Sequence, residues 1–543
     1  MKKQLAFMAF ITGLSFASAQ EINSSARPGI AHQMKFAADQ YIYNKPSENQ
    51  ENLHLASAFN GWLYAAYTVN DTLSHKGGIS VRYSKDGGIT WMHFLNYQYT
   101  NSFYPLTGIV VAGTDTNNLS VFIAGVLKTI STGNYSVYVD KFDGRNGNLI
   151  AGQIYVHTLG SMPVYDIALA SDYLFPASSS MPYSVGFLYS QKGPVQDSLV
   201  FALSTDGGTT FGARRALSAS SRAFRKVALA YARSATASNG SYFAAWESRI
   251  SSSNTLGHIY TSHTTATINS SWSLPLCLDS LSALTNGWVR NPTLACQYSL
   301  LDNDSSNATV LIGFECAVSG NTNDFDIMGY ANNRALIGNY WRRFDVNPGP
   351  ENDLQPQVIY DPISANFMLT YYDSTNGYLP YALHDVNMIL PNSWTYETAH
   401  YNDQTSTLNA PCPTLSLNPV YDEPAFAWIA LNSNQKGCAL FDAQYAGVMT
   451  GTDSPPLKLS RLEIFPNPVS GFATISLSGN TGDQLHLGIY DMLGNAVTPL
   501  LQEANGSISN QFQLDVSGLA DGLYVCNLQV GKENQSLRFV VHH

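Results

Sequence analysis

The sequence predicts an all-β protein: a seven-bladed β-propeller of four-stranded blades, followed by a small C-terminal β-sandwich domain. Three observations predict it. Strongly apolar strand segments recur every 57–68 residues from Trp62 to Leu431. Two hairpin turns share one eight-residue pattern. A Gly/Ser/Pro stretch near position 450 then marks a change to shorter, alternating strands.

The apolar segments are Trp62–Val69 (WLYAAYTV), Val121–Leu127, Tyr183–Tyr189, Tyr242–Trp246, Val310–Cys316, Phe367–Tyr372 and Ala425–Leu431. Each is too short for a helix and continuous rather than alternating. That is the pattern of an inner strand buried on both faces. A shorter strand opens each unit: Leu53–Phe59, Thr107–Ala112, Tyr165–Ala170, Val227–Ala232, Pro292–Tyr298, Pro356–Tyr360 and Pro413–Leu417. A third strand follows, as at Ser136–Lys141 and His258–His263. Units often end on an aromatic edge: Trp91, Phe211, Trp272, Trp341 and Trp394. Four strands per unit, seven times over, describes a propeller. Ring closure then needs the segment between about Ile30 and Tyr43 to complete the last blade. Stacked β-sandwiches are the alternative, but they predict no regular period.

The stretch Ile79–Trp91, ISVRYSKDGGITW, reads as two strands and a tight turn. Ile79, Val81 and Tyr83 alternate with polar residues, and Asp-Gly-Gly supplies turn chemistry. Leu203–Phe211 repeats the device. Both copies read S-x-D-G-G-x-T-aromatic: Ser84, Asp86, Gly88, Thr90 and Trp91, then Ser204, Asp206, Gly208, Thr210 and Phe211. The pattern resembles the Asp-box, or BNR repeat, of sialidase-like propellers. The resemblance implies an Asp that caps its own turn and an aromatic packed under the hairpin. It implies architecture rather than a reaction. The other units carry longer or polar turns, such as Asp143–Gly147.

Composition narrows the partners. Only 12% of the 543 residues are charged, about half the usual fraction. The net charge is −11 without a basic stripe, which argues against nucleic acid and anionic membrane surfaces. Residues 1–19 read as a signal peptide: Lys2 and Lys3, the apolar Leu5–Phe16, then Ala17-Ser18-Ala19. No later run has the ~18 apolar residues of a transmembrane segment. The six cysteines form no C-x-x-C pair, so a zinc site has no support. Export permits disulfides. Cys296 and Cys316 are the candidate pair if their hairpin loop centres near Asn303–Ser306; buried free thiols are the alternative.

The domain boundaries expected are a propeller over 20–449, a linker over 450–456 and a separate domain over 457–543. The last part contains Pro466-Asn467-Pro468, Tyr490-Asp491 with Gly494, and Gly522 with Tyr524. In this order and spacing they resemble the type A C-terminal sorting domain of the Bacteroidota type IX secretion system. The resemblance implies passage through the type IX translocon and cleavage by its sortase. Release from the cell or attachment to the outer-membrane surface follows.

Catalytic signatures are missing. There is no H-E-x-x-H, P-loop, G-x-S-x-G or dinucleotide fingerprint, and no cofactor is expected. His258 and His263 read as packing or surface residues. Asp302-x-Asp304-x-Ser306 begins like a calcium loop, but Gly313 stands where the closing Glu belongs; it reads as a polar turn. Sialidases use three arginines, a Tyr nucleophile assisted by Glu, and an Asp acid/base; their first arginine lies in F-R-I-P. Phe224-Arg225-Lys226-Val227 and Val289-Arg290-Asn291-Pro292 come nearest, but both open a unit in the middle of the chain and neither matches fully. Glu247 and Arg249, near a strand end, suit an acid and a carboxylate clamp, or equally a rim salt bridge. Tyr97, Tyr99, Phe103 and Tyr104, and further on Tyr396 and Tyr401, serve sugar stacking or plug the space between blades. Asp71-Thr72-Leu73, Asp197-Ser198-Leu199 and Asp279-Ser280-Leu281 resemble Bacteroidota O-glycan acceptors.

The expected function is a secreted or cell-surface propeller that binds a glycan or protein ligand. The alternative is a sialidase-like glycoside hydrolase. The discriminating place is the channel end opposite the Asp-box turns. Converging carboxylates with Arg or Tyr favour hydrolysis there, and a flat aromatic surface favours binding.

Overall fold

The computed structural model describes residues 39–543 except 72–73, 114–117, 172–182, 194–195, 220–222, 233–239, 252–253, 268–269, 282–286, 298–308, 318–320, 322, 334–339, 347, 362–365, 386–394, 397–400, 403–406, 419–422, 444–458, 466–468, 482–484, 492–496, 498–500, 504–505 and 531–532. The signal peptide, the linker, the Asp302–Ser306 turn, Trp394, Pro466–Pro468 and Gly494 lie outside the described residues. The chain divides into two units, Met1–Ala446 and Gly447–His543.

Among the described residues the first unit is all-β, with one 3-10 turn at Asp279–Leu281. Its strands form antiparallel sheets in chain order, which gives a propeller-like architecture. The first sheet is Gln50–Ser57, Leu63–Asp71, Lys76–Ser84 and Met92–Thr100. The second is Ser102–Ala112, Ser120–Thr129, Tyr135–Asp143 and Leu149–Gly160. The third opens with Val164–Ser171, the fourth with Ala223–Ala232, the fifth with Val289–Cys296 and the sixth with Asp353–Asp361. Each of these sheets has four strands in sequence order. The seventh contains Thr414–Asn418, Glu423–Leu431 and Gly437–Ala443, and the early segment Gln40–Tyr41 pairs along Gly437–Ala443.

The second strand of each sheet is the apolar segment of the sequence. Leu63–Asp71 and Val310–Ala317 are buried almost throughout, because sheets cover both of their faces. They are not innermost, as the sequence reading expected. The first strands, which are shorter than the second ones only in the first and the last of these sheets, line a cavity of about 290 Å³ among the described residues. The difference is physical: strands lining a wet channel need not be continuously apolar.

Neighbouring sheets are tied side by side. Leu55 N–H donates to Thr414 Oγ1 at 3.2 Å, and Ser416 Oγ to Ser57 Oγ at 2.8 Å, joining the seventh sheet to the first. Val227 N–H reaches Asp166 Oδ2 at 2.9 Å, and Val358 N–H reaches Thr293 Oγ1 at 3.0 Å. The two D-G-G turns add a clamp. Asp86 accepts from Thr90 N–H at 2.9 Å, while Ser84 Oγ accepts from Gly88 N–H at 2.7 Å. Asp206, Thr210, Ser204 and Gly208 repeat these bonds. The aromatics pack against apolar residues of their own sheets and also meet a neighbouring sheet. Trp91 meets Phe441 edge-on at 5.2 Å, and Phe211 meets Tyr155 at 5.6 Å.

Cys296 and Cys316 do not form the candidate disulfide; all six cysteines are free. Cys296 pairs with Val310 and Cys316 with Val289, at opposite ends of the hairpin. Six residues of strand separate those levels, roughly 20 Å.

In the second unit, Leu459–Phe465, Phe472–Thr481 and Gly506–Asp515 form one sheet. Leu501–Glu503, Leu485–Asp491, Gly522–Val530 and Glu533–Val541 form another. Ile464, Ala473 and Ile475 share one core with Ile489, Cys526 and Phe539. Tyr490 and Asp491 end a strand and Gly522 begins one. Tyr524 is buried, its hydroxyl bonded to Ala520 O at 2.9 Å.

Candidate functional site at the channel mouth

The first strands of the first six sheets share a local irregularity. Each breaks register with its neighbour near its start, at Glu51/His54, Phe103/Leu106, Val164/Asp166, Phe224/Val227, Arg290/Thr293 and Leu354/Gln357. A bulge of this kind bends a strand and re-aims a side chain. Asn52, Asn291 and Gln355 take positive φ at three of these breaks, 50°, 52° and 57°, and Cys412, just before Thr414–Asn418, takes 45°. The result is a polar mouth on the cavity, lined by Asn52, His54, Asp166, Lys226, Asn291, Gln355 and Cys412. Farther along the same strands a second cavity of about 240 Å³ is mostly apolar, lined by Leu55, Val110, Leu229 and Val358 among others.

Charges at the mouth are paired. Lys226 Nζ lies 3.5 Å from Asp166 Oδ1, with half of its side-chain surface open. Asp166 raises the Lys226 pKa, desolvation opposes it, and Cys412 and Glu247 add to the rise. His54 is exposed to the channel by surface area. Desolvation pulls its pKa down to about 4, against the pull of Asp166 and with that of Lys226.

The candidates Glu247, Arg249 and Arg290 are brought into one network behind the mouth. Arg249 bonds Glu247, whose side chain is fully buried. Asn291 N–H donates to Glu247 Oε2 at 3.2 Å, and Asn291 Nδ2 donates to Glu315 Oε1 at 2.6 Å. Arg290 bonds Glu315 at 2.5 Å and stacks over Phe325 at 4.0 Å. Gln355 N–H closes the chain on Glu315 at 2.8 Å. Desolvation raises the Glu247 pKa; Arg249 and the Asn291 bond act against it. Glu247–Arg249 is thus neither a solvated rim pair nor an open acid. Arg225 stands apart, bonded to Asp197 at 3.2 Å and lying over Tyr165 at 4.1 Å. The three arginines are each committed to a carboxylate rather than converging as a free clamp.

Most of the aromatics act as plugs. Tyr97 and Tyr104 are packed between the first two sheets, Tyr97 bonding Tyr138 through the hydroxyls at 2.7 Å, while Tyr99 is exposed. Tyr401 stacks on Phe426 at 4.1 Å in the core. The side chain of Tyr396 lies outside the described residues. Ser198 is half-buried and Ser280 exposed, its Oγ bonded to Cys277 O.

Among the described residues one donor group has metal-ligand composition: His258, Cys277 and Asp279. His258 Nδ1 lies 3.0 Å from Asp279 Oδ2, and Cys277 Sγ lies 3.4 Å from Asp279 Oδ1. Both Asp279 oxygens also accept backbone N–H groups, from Ile259 and Gly287. The carboxylate therefore staples a turn onto its sheet. Cys277 and Asp279 approach the same imidazole nitrogen, so no thiol–base relay exists here. His263 is half-buried beside Ser273.

Sequence reasoning missed His54, Asp166, Lys226, Asn291, Gln355 and Cys412. A signal was present: Asn291-Pro292, Gln355-Pro356 and Cys412-Pro413 recur where units open.

Four-stranded antiparallel sheets around a shared channel define a propeller-like protein. Residues 463–542 match the family described as the secretion system C-terminal sorting domain. Such a tail marks the protein for export, to the outer-membrane surface or the medium. Among the described residues no helix is long and apolar enough to cross a membrane. No curated protein matches the chain. Among solved structures it is similar to an α-L-arabinanase of Penicillium chrysogenum complexed with arabinobiose, at 9% identity over 75% of this chain and 98% of that one, TM-score 0.41. It is also similar to a GH93 α-L-arabinofuranosidase of Fusarium graminearum, at 11% identity over 75% and 97%, TM-score 0.41. A sialidase of Trypanosoma rangeli in complex with sialic acid covers 93% of this chain and 87% of its own, at 9% identity and TM-score 0.36. Likeness at this level carries no chemistry to this chain.

Proposed function

We propose that the protein is an exported seven-bladed propeller, closed by Gln40–Tyr41, that binds a hydroxyl-rich glycan at its channel mouth without cleaving it. The observation that supports it is the donor set at the mouth. His54, Lys226, Asn291 and Gln355 surround one cavity, and the half-open ammonium of Lys226 stands among them. Amides, an imidazole and an amine hydrogen-bond hydroxyl groups. Glu247 and Glu315 are buried in arginine pairs, so the mouth does not present two free carboxyls to one bond. The D-G-G turns are Asp-boxes with a structural role. The domains are a signal peptide over 1–19, the propeller over 20–449, a linker over 450–456 and a type IX sorting domain over 457–543. The translocon and its sortase are the export partners, and deleting 457–543 should leave the protein in the periplasm.

The second reading is a glycoside hydrolase. It is favoured by the upward shift of Glu247, the direction a general acid needs. A glycan array and a panel of fluorogenic glycosides separate the two. The expected result is saturable binding with no turnover, weakened at least about tenfold in Lys226→Ala, the loss of one charge-assisted hydrogen bond. Turnover above background would replace binding with hydrolysis. Absence of any glycan ligand would sink both.

A further inference from the structure

A second feature lies away from the mouth, where the third and fourth strands of the fourth sheet meet. His258 opens the third strand, His258–Thr265, and Cys277 ends the short fourth one, Leu276–Cys277. Asp279 opens the 3-10 turn that follows. Tyr260 pairs with Cys277 across the strands, and His258, two residues away, shares the face of Tyr260. The histidine, the cysteine and the carboxylate are thus brought to one place.

Their donor atoms converge. His258 Nδ1 lies 3.0 Å from Asp279 Oδ2 and 3.9 Å from Cys277 Sγ, and that sulfur lies 3.4 Å from Asp279 Oδ1. One donor atom from each residue falls within 4.8 Å of the other two. Bonds of about 2.0–2.3 Å to a tetrahedral Zn²⁺ put its ligand atoms about 3.3–3.6 Å apart. The three donors already stand near that spacing. The carboxylate is held in place from behind: Ile259 N–H reaches Oδ1 at 2.9 Å and Gly287 N–H reaches Oδ2 at 2.8 Å. Such outer bonds orient a ligand toward a metal. Each oxygen can accept a second bond, and here the second donors are His258 Nδ1 and Cys277 Sγ. Both become ligands once those hydrogens are gone, so a single cation can take the place of two hydrogens. Solvent reaches the group as well. The His258 side chain is 22% exposed and Cys277 half-buried, above a fully buried Asp279.

We propose that His258, Cys277 and Asp279 form a zinc site with water in the fourth position. Sulfur and imidazole donors suit Zn²⁺, whereas an oxygen-only shell suits Ca²⁺ or Mg²⁺. Binding balances in charge and protons. The thiol gives one proton to solvent, the imidazole carries its hydrogen on Nε2, and thiolate and carboxylate together offset the two charges of the ion. Cysteine spacing gave no zinc signature because the other two ligands are a histidine from the neighbouring strand and a carboxylate from the turn. The ion ties the fourth sheet to the start of the fifth, since Gly287 N–H bonds the same carboxylate and Gly257 pairs with Val289.

The test uses the full chain, reduced and stripped with EDTA, titrated with Co²⁺ and then Zn²⁺. The expected result is one Co²⁺ bound with a thiolate-to-cobalt charge-transfer band in the near ultraviolet, lost when Zn²⁺ displaces it. Zn²⁺ should protect Cys277 from alkylation, read by peptide mass spectrometry, while the exposed Cys412 still reacts. At ten times the dissociation constant the folding equilibrium gains about elevenfold, read as a rise in Tm. Cys277→Ser should remove the band, and His258→Gln should weaken Zn²⁺ binding at least about tenfold, no less than the loss of an outer-shell partner. Cys412→Ser should change neither. Asp279 is left intact because it also holds the turn. Should Cys277→Ser fail to fold, the His258→Gln titration and the protection of Cys277 decide the matter. Absence of the band, a band that survives Cys277→Ser, unprotected Cys277, undiminished Zn²⁺ binding in His258→Gln, or an equal response to Mg²⁺ would overturn the proposal.

Discussion

Gly88 offers the sharpest test of how the sheets are held together. Its φ is +102°, and a Cβ there would sit 2.0 Å from Phe441 Cε1, on the seventh sheet. Replacing it with Ala therefore incurs two costs. The backbone conformation costs about 1–3 kcal/mol for an L-residue. The overlap with Phe441 costs about 1–3 kcal/mol more, because a packed core yields only by shifting side chains off their rotamers. Gly88→Ala should thus lose about 2–6 kcal/mol, the sum of those two ranges. Gly133 separates the terms: its φ is +69°, but no atom lies within 4 Å of its virtual Cβ. Gly133→Ala should lose only the conformational part. The assay is urea unfolding of the full chain followed by tryptophan fluorescence, since Trp91 reports on this seam. Phe441→Ala removes the obstacle, so the double variant should be less destabilised than the two single losses added, by about 1–3 kcal/mol. Equal losses at Gly88 and Gly133, or strict additivity with Phe441→Ala, would refute the claim that the turn docks on the neighbouring sheet.

Other expectations follow from single groups. Gly208 repeats the geometry, with Phe122 Cε1 2.2 Å from its virtual Cβ, so Gly208→Ala should resemble Gly88→Ala rather than Gly133→Ala in the same unfolding assay. His54 has a folded pKa of about 4, below the ordinary histidine value of 6.5. Between those values the unfolded chain binds a proton that the folded chain does not. Stability is present above pH 6.5 and falls as the pH drops toward 4; His54→Gln should flatten that part of a pH series of urea midpoints. The Asp86 carboxylate is raised by desolvation, but the bonds from Thr90 and Ser84 outweigh this and hold its pKa below the usual value. Its contribution should fade as pH falls below about 4, and Asp86→Asn should remove that acid dependence in thermal melts. Thiol titration in denaturant without reductant should find all six cysteines; any shortfall would restore a disulfide.

Much of the fold was legible because burial on both faces forces continuous apolar strands. WLYAAYTV and VLIGFEC could be placed without knowing their partners. The capping role of Asp86 and Asp206 was equally readable, since the bonds span only four residues. What the D-G-G turns press against was not, because Phe441 is far from Gly88 in sequence. The disulfide expectation failed for a related reason. It required the level of Cys296 against Cys316, and level depends on where the hairpin turns.

The candidate site was legible only where contacts are local. Glu247 and Arg249 stand two residues apart on one strand, so they share a face, and their pairing could be read from that spacing. Arg290 and Glu315 are cross-strand partners, a relation fixed by register alone. The mouth itself is a product of bulges, which break the alternation that sequence patterns rely on. Asn52 and Asn291 take a left-handed conformation that asparagine tolerates, and Gln355 and Cys412 take it at a cost. All four line the cavity, and three of them bond a neighbouring sheet: Asn52 Nδ2 to Pro105 O, Asn291 N–H to Glu247, and Gln355 Oε1 from Cys412 N–H. Left-handed backbone at Asn52, Asn291, Gln355 and Cys412 is thus what sets the polar end of the channel apart from the apolar end in structure.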